Sequence, residues 1–359
     1  MKIRLIQIDS ASAIYSQAIY HGLAEQMQEE DDPILVILQP NETYVCIGLH
    51  QDLDEEVNLM YCRENNLPVI RRHIGGGTVL LDEQQLFFQY IFPKNKVPNQ
   101  AKALYALLLQ PVLQTYHQFG IPAALKSLND IQVSNKKIGG TGAGTINNAT
   151  VLVGSFLYDF NCKQMANCVK SPSNNFIAAF ESLLEENITT INQQTINPPS
   201  IDNVISTYRE KVAELLELKI ESSNLNENEE QAIQQAADEL QTEDWLHADG
   251  KKLVKNGLKI AAGVYLLENT VDYHQQELSI RIQFENGHIQ TIWLESADTK
   301  THASLLFVTS EINTLRPAVE YQAIHEVINN VSSRMESLSS EDAEYLAKSI
   351  FELASVNEY

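Results

Sequence analysis

The first eight residues, MKIRLIQI, alternate between apolar and polar positions, the period-two pattern of a half-buried strand. Ser10 then offers a helix cap, and Tyr15, Ile19, Leu23 and Met27 recur at four-residue spacing, which predicts a helix to about residue 27. PILVILQP and TYVCIGL are short apolar runs bounded by Pro, Asn and Gly, and both predict buried strands. PVIRR predicts another that enters a turn of three glycines, and TVLLD and QLFFQYIF predict strands that leave it. Residues 101–119 carry a helical apolar pattern interrupted at Pro111, which predicts a kink or two consecutive helices. IQVSNKKI and TVLVGSFLYDF return to strand, the first with a polar turn at Ser134 and Asn135.

From about residue 163 to 245 the pattern becomes helical and polar, with VISTYREKVAELLEL the clearest amphipathic helix. SSNLNENEEQ marks a loop before a helix that ends near Trp245. HADGKK restarts a strand pattern, and LSIRIQF and HIQTIWL flank Asn286-Gly287, a hairpin turn pair. Two final helices follow, the last with Ser339 as cap and Asp342 in its first turn. The shift near residue 248 divides the chain into residues 1–248, of catalytic size, and a small α+β domain at 249–359. No internal repeat is visible.

At 359 residues the chain exceeds what one core usually supports, which agrees with two domains. No apolar run approaches the ~20 residues of a membrane span, and the N-terminus meets a helix-cap signal before a signal-peptide core forms, so a cytoplasmic location is expected. A formal charge of −22 argues against nucleic acid and anionic membrane as partners. An anionic ligand would need a local positive island, and two are offered: Arg71 with Arg72, and Lys126 with Lys136 and Lys137. Cys46, Cys62, Cys162 and Cys168 form no CxxC pair, so neither a disulfide framework nor a structural zinc site is suggested.

Two segments carry candidate chemistry. In RRHIGGGTVLLD, residues 71–82, Gly75, Gly76 and Gly77 let a ligand approach the main chain, and a nearby guanidinium offers a fork matched to carboxylate or phosphate oxygens. The plain alternative is a tight turn between strands. In NDIQVSNKKIGGTGAG, residues 129–144, Asn129 and Asp130 stand at the mouth of a strand, and Lys137 precedes Gly139, Gly140 and Gly142. A lysine is a compact charge suited to a phosphate or acyl-adenylate oxygen, and an aspartate can hold magnesium. Strand alternation turns Lys136 to the face opposite Lys137. His50 and His73 read as structural, and Phe87, Phe88 and Tyr90 as core.

Together these segments resemble the lipoate–protein ligase family, part of the biotin/lipoate ligase and octanoyltransferase superfamily. RRHIGGGTVLLDEQQ overlays that family's RRxSGGGxVxHDxGN without a gap, and NDIQVSNKKIGGTG matches its ND, strand and K[IV]xGxA. The resemblance implies an α+β fold, with mixed sheets flanked by helices at 1–248 and an accessory domain behind it. It implies formation of lipoyl-AMP from lipoate and ATP with Mg2+, then transfer to a lysine of a lipoyl domain or a glycine-cleavage H-like protein, by a monomer. Lys137 would be the catalytic lysine; Arg72, Gly75, Gly76, Gly77, Thr78, Gly140 and Thr141 would line the acyl-adenylate pocket. Val79, Asp82, Gln85, Asn129 and Asp130 would hold the nucleotide, with Asp130 on the metal.

The chain departs from the family pattern at Ile74, Leu81, Gln84-Gln85 and Val153, and an arginine expected near Gly144 is absent. Two alternatives stand beside the ligase. One is octanoyl or lipoyl transfer between carrier proteins, which needs a cysteine thioester, and KSLNDIQV contains no cysteine. The other is a catalytically silent lipoyl-binding paralogue.

Overall fold

The computed structural model describes residues 2–126 and 128–355. They form two units, Met1–Lys170 with Leu184–Lys251, and Ser171–Leu183 with Lys252–Tyr359. Ser171–Leu183, which the sequence pattern places in 1–248, thus groups with the second unit.

In the first unit an eight-stranded mixed sheet runs in the order Lys219–Ser222, Lys2–Ala11, Ile34–Pro40, Gln85–Pro93, Ala149–Leu157, Lys136–Ile146, Asp130–Val133, Ala124–Lys126. Alternation along Gln85–Pro93 sorts its rings to the two faces. Phe88, Tyr90 and Phe92 join one core with the helices Ala101–Leu108, Gln110–Gln118 and Ile201–Leu215. Phe87 and Ile91 join another with the helices Ala13–Gln26 and Glu227–Leu240. Each such buried side chain contributes about 1.5–3 kcal/mol. Pro111 lies in the first turn of the second of two consecutive helices, Gln110–Gln118, where its missing N–H leaves no bond unmade.

Two local expectations shift. The first helix is capped by Ser12, whose side chain accepts from the Tyr15 N–H, and not by Ser10, because the strand stays paired as far as Ala11. Lys219–Ser222 is a strand, parallel to Lys2–Leu5, inside a region whose pattern reads as helical. Its sequence, KIES, is too short and polar to show a period.

Arg71 and Arg72 follow from a smaller sheet in which Tyr44–Ile47 pairs parallel with Val69–Arg71 and antiparallel with Val79–Leu81. In the second unit, four antiparallel strands, Gly257–Ala261, Val264–Tyr273, Gln276–Glu285 and His288–Ser296, are followed by three helices, not two: Thr299–Leu315, Tyr321–Ser332 and Ser340–Ser355. Arg316 in the left-handed conformation ends the first of them, and Pro317 follows it. Asn286 and Gly287 both take positive φ, as the hairpin turn requires. Among the described residues no helix is long and apolar enough to cross a membrane.

Candidate active site

Ile74 anchors the glycine loop by burying its side chain in the first unit's core. On either side of it the chain is pinned to the neighbouring strand, with Arg72 N–H donating to Ile47 O and Leu49 N–H to Ile74 O at 3.0 and 3.1 Å. Gly76 has φ of 107°, a conformation that side chains rarely adopt. Its carbonyl oxygen lies where a side chain at Gly48 would begin, 2.0 Å from the position a Cβ would take, so the loop needs a glycine there as well.

The two arginines do different work. Arg71 is fully buried, and its guanidinium donates to the carbonyls of Leu49, Gln51, Leu246 and Ala248 at 2.7–3.1 Å. It therefore offers nothing to an anionic ligand, which corrects its expected place in a positive island. Arg72 lies under the loop, with Nη2 donating to Gly75 O and Gly77 O at 3.0 and 2.9 Å, and Nη1 to Cys46 O at 3.1 Å. Its fork is occupied by the loop's own carbonyls. In a trans peptide the N–H points opposite to the C=O, so Gly75 and Gly77 carbonyls turned toward Arg72 turn the N–H groups of Gly76 and Thr78 away from it. Arg72 thus orients main-chain donors.

The second segment is a hairpin in which Ser134 and Asn135, both at positive φ, make the turn. Its register shifts by one residue between Ile131 and Gln132, pairing Gln132 with Lys137 and Asp130 with Gly140. Lys137, Gly140, Gln132 and Asp130 consequently share a face. Lys137 Nζ lies 2.9 Å from Asp130 Oδ1, and its stem lies across Gly140, where a Cβ would come within 3.3 Å of Cε. Lys136 behaves as alternation requires: its Nζ donates to Glu185 O at the surface. Behind Lys137 the segment at Ile188 and Thr189 adds a backbone bridge, with Thr189 N–H donating to Lys137 O at 2.8 Å. No local pattern in the sequence points to that support.

Asn129 and Thr141 clamp each other: Thr141 Oγ1 donates to Asn129 O at 2.7 Å, and Asn129 Nδ2 donates to Thr141 O at 3.1 Å. Gln85 is buried with both amide ends used, Nε2 donating to Leu80 O and Oε1 accepting from Ser155 Oγ. Thr78 Oγ1 donates to Gln51 Oε1 at 3.3 Å, and Val79 is exposed. Asp82 lines a polar cavity of about 790 Å³ with Gln84, Asp159, Cys162, Lys163, Glu185 and Thr190. Burial holds its carboxyl above the ordinary range, and the charges of Glu83 and Asp159 add to the effect. The structure thus brings Lys137, Asp130 and Gly140 together in one cluster and Arg72 with Gly75 and Gly77 in another, while Asp82 belongs to the cavity. Gly142 joins the two segments, since a Cβ there would meet Ile74 Cγ2 at 3.1 Å and Gly75 O at 3.8 Å. Phe87, Phe88 and Tyr90 are core, as expected.

Comparison with known proteins adds the context for this geometry. Residues 12–213, more than half of the chain, match the lipoyl protein ligase A/B catalytic domain. The chain is similar to lipoate-protein ligase LplJ of Bacillus subtilis, 31% identical over 130 residues, which are 36% of this chain and 38% of that protein. The matched stretch therefore spans about two fifths of that relative. Among solved structures, the fold resembles a bipartite lipoate protein ligase from Thermoplasma acidophilum, with TM-score 0.63 and 22% identity over 70% of this chain and 98% of the other. It also resembles a lipoate-protein ligase A bound with ATP, with TM-score 0.60 and 22% identity over 69% and 99% of the two chains.

Proposed function

The chain belongs to the lipoyl protein ligase A/B catalytic domain family, and from that premise we propose that it activates lipoate with ATP and transfers the lipoyl group to a lysine of an acceptor protein. The observation that carries this reading is the half-exposed Lys137 ammonium, paired with Asp130 and laid across Gly140 on the strand that faces the glycine loop's Ile74 and Gly75. In the first step the acid's carboxylate oxygen attacks the α-phosphorus and pyrophosphate leaves. Negative charge grows on phosphate and carbonyl oxygens, and a fixed ammonium together with the N–H groups of Gly76 and Thr78 would stabilise it. In the second step the acceptor's lysine amine attacks the acyl carbon and AMP leaves. The same donors would then bear the charge on the carbonyl oxygen.

Arg72 acts in this scheme as a positioning residue beneath the loop, and Asn129 and Thr141 fix the strand that carries Lys137. Asp130, a hard-oxygen carboxylate whose Oδ1 is paired with Lys137 Nζ at 2.9 Å, is the residue that would hold magnesium, with phosphate oxygens and water in the other positions. When bound, the ion would neutralise phosphate charge. The ligase bound with ATP and the Thermoplasma ligase described with its E2 lipoyl domain support the nucleotide and the class of acceptor. We assign catalysis to residues 1–248 and an accessory role to 249–359.

The test is the mass of an apo lipoyl domain after incubation with the protein, ATP, magnesium and lipoate, alongside lipoate-dependent pyrophosphate release. A lipoyl mass increment with pyrophosphate supports the ligase. A second reading has one observation in its favour: Cys162 is the one cysteine that is not buried, and it lines the cavity with Asp82. Transfer from an acyl carrier without ATP, lost in Cys162→Ser, would establish that thioester route instead. Binding of the lipoyl domain with neither reaction would indicate a silent paralogue.

A further inference from the structure

On the first unit's core helices, His21 and Glu25 stand one turn apart on Ala13–Gln26, and Glu239 stands near the end of Glu227–Leu240. His73, from within RRHIGGG, faces them. His21 Nε2 lies 3.4 Å from Glu25 Oε1 and 3.9 Å from Glu239 Oε2, and His73 Nε2 lies 3.7 Å from the same Glu239 oxygen. The donor atoms of His21, His73 and Glu239 all lie within 4.8 Å of one another. We infer that His21, His73 and Glu239, with Glu25 beside them, form a divalent-cation site of the zinc type behind the glycine loop.

Three observations carry the assignment. The first is spacing. Ligands of a tetrahedral zinc ion with bonds of about 2.0–2.1 Å stand roughly 3.3–3.4 Å apart, so the nitrogen–carboxylate separations of 3.4, 3.7 and 3.9 Å need to close by about half an ångström or less. The second is unmet bonding capacity. His73 Nε2, the atom that faces Glu239, is buried without a hydrogen-bond partner, and a buried polar nitrogen in that state asks for a reason. The third is donor chemistry, because two imidazoles with carboxylates suit zinc and cobalt, whereas magnesium and calcium take oxygen sets.

The present ring arrangement supplies the reporter. His21 and His73 stack with centroids 3.4 Å apart and planes 7° apart, and Trp245 stacks on His73 at 4.1 Å. Parallel rings cannot both aim a lone pair at one ion. Loading the site therefore tilts His73 and changes the environment of Trp245. An ion here would tie the loop's own histidine to two helices of the core.

The experiment uses the full chain stripped with EDTA and titrated with Co2+ or Zn2+ at pH 7. Calorimetry should give one equivalent bound more tightly than about 10 μM, with tetrahedral Co2+ absorption and a change in tryptophan emission that Trp245→Phe removes. Glu239 is on the surface, so Glu239→Gln keeps the fold and should weaken binding at least about tenfold. His73→Gln, checked by thermal unfolding, should abolish it, and millimolar Mg2+ should not compete. No binding up to about 100 μM would overturn the assignment and leave the stack as plain packing. Binding that is unchanged in Glu239→Gln and His73→Gln would place the ion elsewhere and overturn it equally.

Discussion

Two ion pairs of nearly the same length stand in the two units. Lys137–Asp130 measures 2.9 Å and Arg281–Glu268 measures 3.0 Å, yet the Lys137 side chain is 31% exposed while Arg281 and Glu268 are 5% and 4% exposed. Arg281 also reaches Glu295 at 3.4 Å and lies over the Trp293 ring at 4.9 Å. The difference lies in replaceability. A rigid guanidinium with two carboxylates and an aromatic face can only be locked or broken, and breaking it strands a charge in the interior. A lysine on a flexible stem at a half-open face can exchange its carboxylate for an incoming anion. Distance alone does not separate a structural pair from a poised one; exposure and the number of partners do.

That contrast can be broken at its strongest point first. Glu268→Ala should cost about 3–5 kcal/mol of stability by leaving the buried Arg281 with only the longer contact to Glu295, read by denaturant unfolding, and a loss below about 1 kcal/mol would mean the pair is not sealed in solution. Lys137→Ala should show the opposite profile. Stability should change less than in Glu268→Ala, because the Lys137 end of the pair is 31% exposed although Asp130 is only 9% exposed, while lipoyl transfer falls about 10²–10³-fold. Lys136→Ala should leave most transfer intact, and equal losses in the two lysine variants would remove the distinction that alternation makes.

Arg72→Lys sharpens the comparison on a smaller scale. A single ammonium cannot hold three carbonyls as a planar fork does, so the loop should lose about 1.5–3 kcal/mol of preorganisation, seen as one to two decades in affinity for a nonhydrolysable lipoyl-adenylate analogue. Wild-type affinity in a folded variant would show that the loop needs no such support. The smallest effect near neutrality concerns His21 and His73. Their folded values lie below the ordinary 6.5, at about 4 and about 3, so the unfolded chain binds more protons in that window. Their stabilising effect is present above pH 6.5 and should be lost as pH falls toward about 3, giving a denaturation midpoint that declines with acid. His21→Asn with His73→Asn should flatten that decline, and an unchanged slope would assign it to other groups.

What the sequence disclosed was whatever local chemistry decides. Ser134-Asn135 and Asn286-Gly287 turn because these residues tolerate positive φ, and Lys136 and Lys137 diverge because strands alternate. The cap moved from Ser10 to Ser12 because strand pairing, a nonlocal term, extends to Ala11. Arg71 looked like a surface charge because nothing near it announces Leu246 and Ala248, the distant carbonyls that enclose it. His73 read as structural, and His21 and Glu239 drew no notice, for the same reason: the three meet only after three separate segments have folded together. Arg72 was legible as important but not in its role, since a local motif cannot say whether a guanidinium faces a ligand or the loop's own carbonyls.

The parallel pairing of Lys219–Ser222 with Lys2–Leu5, and the hold of Arg71 on Leu246 and Ala248, govern how the protein is made. A chain growing from its N-terminus completes both the glycine loop and Lys137 long before either contact exists. Until then its first strand is an open edge able to pair with another chain, and the guanidinium due to be buried has no carbonyls from residues 246–248. Premature arrest upstream of residue 219 would yield an adhesive fragment that contains the whole candidate site and cannot close around it. Pulse proteolysis of ribosome-bound chains should find the glycine loop protected only after residues 246–248 have emerged.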